Sequence, residues 1–167
     1  MIIIENEQTI VEMEAGLEEA IRETIEASLL DQGVQYEAEV SVLLVDNEAI
    51  REINRDTRNL DAVTDVLSFP MIDYEPGLTY TDLYRDYDFG DQYFDGDALL
   101  LGDIVISLER ALEQSEEYAH SLKREVCYLT VHSVLHLLGY DHMEVEDKAK
   151  MRDVEERILG KLAITRD

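Results

Sequence analysis

Residues 131–142 read VHSVLHLLGYDH and hold three of the chain's four histidines, His132, His136 and His142. On a helix, side chains four apart lie on one face, a turn apart, so His132 and His136 can serve the same point. Gly139 can take the left-handed backbone that ends a helix. The return through Tyr140 and Asp141 could then bring in His142 as a third nitrogen. Three imidazoles with no fourth protein ligand are the donor set of a catalytic zinc site, which keeps one position open for water. The competing reading is three core histidines with satisfied hydrogen bonds. Their crowding beside a glycine turn favours the metal.

Two other arrangements fall away. In the zinc-protease pattern H-E-x-x-H, a glutamate after the first histidine acts as general base; here that position is Ser133. Cys127 sits five residues before His132, about 140° round a helix, and reads as a packed thiol. Asp141 is expected to support a histidine or the turn from behind, and Glu125 shares a helical face with His132. Asp65 and Asp103 could play similar supporting parts, though strand-end turns explain them equally well. His120 receives no role.

Certain elements must position these residues. Residues 2–5 read as a strand. Leu17, Ile21, Ile25 and Leu29 mark an amphipathic helix over 12–31. Strands are expected at 36–45, 64–70 and 99–107, with a helix capped by Asp46 or Asn47 running to Arg58. Further helices are expected near 107–119, 121–138 and 144–161. The total is an α+β fold, one domain over 1–167, with a small mixed four-stranded sheet and about five helices. Residues 72–98 interrupt it as a long excursion between strands, carrying seven aromatic residues, eight acids and one base, Arg85. The excursion is expected to be a surface flap packing its rings on the core, or a site for a basic partner, and its removal to leave metal binding intact.

Composition narrows the setting. At 167 residues, 46% hydrophobic and 32% charged, the chain suits one globular domain and not a disordered one. MIIIENEQTI lacks the basic n-region of a signal peptide, and no apolar run nears the roughly 18 residues of a membrane span. A single cysteine excludes an internal disulfide and suits a reducing compartment. A cytoplasmic location is expected. The net charge of −25 argues against nucleic-acid binding at long range, although salt shortens that reach to about 10 Å.

HSVLHLLGYDH resembles the H-G-x-L-H-L-x-G-Y-D-H signature of the bacterial YbeY endoribonucleases. NRDTR (54–58), TDVLSFP (64–70) and LGDIVIS (101–107) match further blocks of that family in order and spacing, so the resemblance covers nearly the whole chain. It implies a zincin-like core and a metal-dependent endoribonuclease specific for single-stranded RNA. Its roles would be ribosomal RNA maturation, at the 3′ end of the small-subunit RNA, and ribosome quality control. It also implies one zinc ion held by His132, His136 and His142, and an important arginine at Arg58. The chain departs from the family where Ser133 replaces a glycine, where Thr57 replaces a frequent aromatic, and in the long excursion.

An arginine fork suits the charge that builds on phosphorus, being planar, permanently charged and bidentate. Arg51, Arg55 and Arg58 form one helical stripe, and Lys123 and Arg124 open the helix of the histidines. These five are expected to make a basic path for RNA, unless Glu48 and Glu52 neutralise the stripe. Two other functions compete: a ribosome-associated assembly factor with a mainly structural zinc, contacting small-subunit ribosomal proteins, and an unrelated zinc hydrolase.

Overall fold

The computed structural model describes residues 1–141 and 144–164. Five strands, β1 (Ile2–Asn6), β2 (Ala38–Val45), β3 (Val66–Pro70), β4 (Phe94–Asp95) and β5 (Ala98–Ser107), form one mixed sheet. Its order is β1-β2-β5-β3. The first three run parallel, and β3 runs antiparallel at the edge. The two-residue β4 pairs with the start of β5. The helices are α1 (Leu17–Asp31), α2 (Asn47–Arg58), the single-turn α3 (Tyr80–Leu83), α4 (Leu108–Glu117), α5 (Leu122–Leu137) and α6 (Val145–Lys161). The four longer strands and five longer helices are those expected from the sequence; β4 and α3 are additions within the excursion.

Strand alternation divides the core into two faces. Val40, Val42 and Leu44 of β2 pack with Leu17, Ile21 and Ile25 of α1 and with Val126, Leu129 and Val134 of α5. Leu43 and Val45 point the other way, toward Ile50 and Ile53 of α2. In β5 the parity changes: Leu99 and Leu101 share a cluster with Ile104 and Ile106. A bulge allows this, because Glu39 pairs with Leu100 and Val40 with Gly102, skipping one residue. Gly102 has φ +144, and a Cβ there would lie 2.3 Å from the Phe69 carbonyl oxygen, so only glycine fits.

Helix α1 begins five residues later than its expected start at Glu12. Its apolar repeat begins at Leu17, and Gly16 before it is left-handed at φ +86. The preceding segment is closed locally by the Gln8 side chain, which accepts from the Val11 amide and donates to the Val11 carbonyl.

The excursion is built deeper into the molecule than a surface flap. Tyr80 is fully buried, and its amide donates to the Leu138 carbonyl at 2.8 Å. Phe89, also buried, contacts the rings of Tyr36, Tyr80, Tyr84, Tyr87 and Tyr93. Gly139 has φ +90, and a Cβ on it would meet the Tyr74 ring at 2.5 Å. The segment therefore packs directly on the turn after α5. Its rings pack on the core as expected; the segment also supports the turn after α5, so its removal is expected to disturb that turn.

Helix α6 is tied to the end of α1 by Asp31, whose side chain is 4% exposed. It accepts from Arg157 at 2.7 and 3.0 Å and from Lys161 at 3.1 Å. The Arg157 hydrogen bonds hold its carboxyl at about 2, below the ordinary 3.8. A folded-state value below the unfolded one stabilises above the unfolded pKa and is lost as pH falls. Asp31→Asn is therefore expected to cost about 2 kcal/mol near neutral pH. In denaturant titrations the gap between the two proteins should close as pH drops from about 4 toward 2.

Candidate metal centre

Helix α5 is capped by Ser121, whose hydroxyl accepts from the Arg124 amide. It is buried along most of its length, with His132 and His136 at its half-exposed margin. Its end is a Schellman closure: the Gly139 amide donates to the His136 carbonyl, and the Tyr140 amide to the Leu135 carbonyl. This turn sends the Tyr140 carbonyl back to His136 Nδ1 at 2.9 Å. Tyr140 is itself anchored, its hydroxyl donating to Gln32 Oε1 at 2.8 Å.

His132 is oriented from a different element. Its Nδ1 lies 2.6 Å from Oε2 of Glu155 on α6. Both Nδ1 atoms thus face acceptors, a carboxylate and a carbonyl, and carry the proton as donors. Each ring then presents its Nε2 lone pair, and the two Nε2 atoms lie 3.1 Å apart. Two lone pairs at that distance repel unless a proton or a metal cation is shared between them. Nitrogens bound to one tetrahedral zinc at about 2.0–2.1 Å would be about 3.3 Å apart. The described donor pair fits a divalent ion in chemistry and in spacing. His142 lies outside the described residues, and among those described no set of three metal-ligating side chains converges.

Ser133 is fully buried where α5 crosses β3, and its hydroxyl is hydrogen-bonded to that of Ser68. The serine therefore fits the close helix–strand contact with its polar atom satisfied. Cys127 lies in the apolar layer that α5 shares with α1 and α6, and burial pushes its thiol above the ordinary value, in keeping with a packed and unreactive side chain. Tyr128 stacks on His132, with centroids 5.9 Å apart at 29°; burial and the Glu155 charge raise its hydroxyl to about 12.

The basic residues are less united than expected. Arg58 is the exposed last residue of α2, followed by left-handed Asn59 at φ 56. Helix α2 packs on the sheet face opposite α5: in edge strand β3, Leu67 clusters with Ile50 of α2 while Ser68 is hydrogen-bonded to Ser133 of α5. Arg51 is held by Asp61 at 2.7 and 3.3 Å, and Arg55 by Asp56 at 3.2 Å. Asp61 and Asp56 therefore engage the stripe directly, and the Glu48 charge acts on Arg51 beside them. Lys123 is exposed. Arg124 corrects the expected path: it is 4% exposed, donating to the Ile164 carbonyl and to Glu156. Its position on α5 points it inward, toward the end of α6.

Asp141 is half-buried at the exit of the turn. The Tyr140 carbonyl orients His136, and Glu155, which the sequence pattern did not single out, orients His132. A signal existed. Glu155 is an acid, 3% exposed, inside the apolar stripe of Met151, Val154, Ile158 and Leu159 on α6.

The model of the Endoribonuclease YbeY family matches residues 3–163. The chain is 56% identical to Endoribonuclease YbeY of Clostridium acetobutylicum over 99% of its length and 100% of that protein's. It is also 56% identical to Endoribonuclease YbeY of Clostridium perfringens, over 100% of its length and 99% of that protein's. The solution structure of TM1509 from Thermotoga maritima is similar in fold, with TM-score 0.56 and 25% identity, over 98% of this chain and 92% of that one. No helix among the described residues is long and apolar enough to cross a membrane.

Proposed function

The chain belongs to the Endoribonuclease YbeY family, and on that premise we propose that it is a zinc-dependent endoribonuclease cleaving single-stranded RNA. Its setting is the cytoplasm, in ribosomal RNA maturation and ribosome quality control. One observation carries the chemistry: two Nε2 atoms 3.1 Å apart, each on a ring whose Nδ1 proton is already held. His132 and His136 would hold the ion, with His142 as the expected third ligand. A bound zinc supplies Lewis acidity toward a phosphoryl oxygen and brings the pKa of water near 7. Glu155 and the Tyr140 carbonyl fix the tautomer and tilt of the two rings and raise their basicity. Asp141 supports the turn between His136 and His142. Arg58 binds the phosphodiester and stabilises the charge growing on its oxygens, with Arg51, Arg55 and Lys123 as the outer phosphate contacts.

Cleavage of a labelled single-stranded RNA by the purified chain and its Arg58→Glu variant tests this reading. The variant should lose about 10²- to 10³-fold in kcat while retaining its metal. Equal cleavage by both would remove Arg58 from the chemistry. A second reading, an assembly factor binding basic ribosomal proteins, is favoured by the net charge of −25. It predicts ribosome association that survives loss of the histidines.

A further inference from the structure

A polar cavity of about 250 Å³ lies beside the histidine pair. Tyr128 forms the shared wall, lining the cavity and stacking on His132. Glu125, Tyr128 and His132 follow one another along α5, so the cavity begins about one helical turn from the centre.

Its floor is a rigid network. Glu125, 2% exposed, lies 2.7 Å from His120 Nε2 and accepts from Gln114 Nε2 at 2.8 Å. Gln114 Nε2 also reaches Asp65 Oδ2 at 3.3 Å. Carboxylate oxygens carry more than one lone pair, so both acids keep acceptor capacity after these bonds. The cavity is also lined by Arg124, whose Nη1 and Nη2 are bonded while its buried Nε has no partner among the described residues. Buried donors are seldom left unmet unless a further group satisfies them. Tyr118, 55% exposed, supplies an aromatic surface at the mouth, and exposed Arg152 a cation.

Aromatic walls, carboxylate acceptors and one unpaired donor describe a flat heterocycle that offers an amine beside a ring-nitrogen acceptor. Adenine and cytosine present that pair on their Watson–Crick edge, guanine only on its sugar edge; uracil has no amine, and its single N–H is flanked by carbonyl oxygens that the carboxylates repel. We infer that this cavity is a base-binding subsite, taking an adenine or cytosine of the RNA strand whose phosphate sits at the histidine pair. The amine donates to Asp65, the ring nitrogen accepts from the Arg124 guanidinium, and Arg152 faces the adjoining phosphate. The subsite rests on the endoribonuclease reading and adds base preference to it.

The test compares metal-dependent cleavage of short single-stranded homopolymers of A, C and U by the full chain and by Asp65→Asn and Tyr118→Ala. The wild type should cut the A and C strands about tenfold faster than the U strand, in kcat/KM. Each variant should bring that ratio toward one with its bound metal retained. Asp65 also accepts from the Val66 amide, so Tyr118→Ala, at an exposed position, covers the case in which Asp65→Asn fails to fold. Equal metal-dependent cleavage of all three strands by the wild type would overturn the subsite alone. So would a preference left intact in Tyr118→Ala. No cleavage of any strand would overturn the nuclease reading and the subsite together.

Discussion

Replacing His136 by alanine is expected to lower RNA cleavage by about 10³-fold or more, to the background of the preparation. Lewis-acid assistance contributes several kcal/mol to a phosphoryl reaction, and each 1.36 kcal/mol is about tenfold in rate. The fold should survive, because the His136 ring lies at the half-exposed margin of α5, outside its apolar packing. Circular dichroism and thermal melting of the variant should therefore stay close to the wild type measured without metal. Cleavage persisting within tenfold of wild type would mean that the chemistry lies elsewhere on the chain.

Glu155→Ala is the second large effect. Glu155 lies 23 residues from His132 in sequence, yet its carboxylate, 3% exposed, holds the His132 Nδ1 proton at 2.6 Å. Removing it leaves that N–H without its acceptor and frees the ring to rotate. Such outer partners typically contribute 10- to 100-fold in metal affinity. A loss of that size is expected in competition with a chelating dye, and Glu155→Gln, which keeps an acceptor oxygen but not the charge, should fall between. Affinity unchanged in Glu155→Ala would make the contact incidental to the centre.

The histidine pair was readable because it needs only the four-residue repeat of one helix and the glycine that ends it. The long elements were readable for the same local reason: Leu17, Ile21 and Ile25 recur with the helical period, and β2 alternates. What stayed hidden depends on tertiary contact. Glu155 reaches His132 only because α6 folds back over α5. The inward turn of Arg124 depends on where Ile164 and Glu156 end up, and the pairing of Arg51 depends on a loop that brings Asp61 to α2. The burial of Tyr80 could not be told from its acidic neighbours, since composition described the segment while one ring decided its depth. The bulge at Gly102 was equally silent: a one-residue change of register leaves no periodic trace in so short a strand.

The central claim, that the imidazoles of His132 and His136 converge on one divalent ion, is tested most directly by titrating zinc into the metal-stripped chain and its His132→Ala and His136→Ala variants. The account predicts one ion per chain for the wild type, and binding weakened by at least about 100-fold in each variant. Stoichiometric, tight zinc binding that either variant retains unchanged would contradict it.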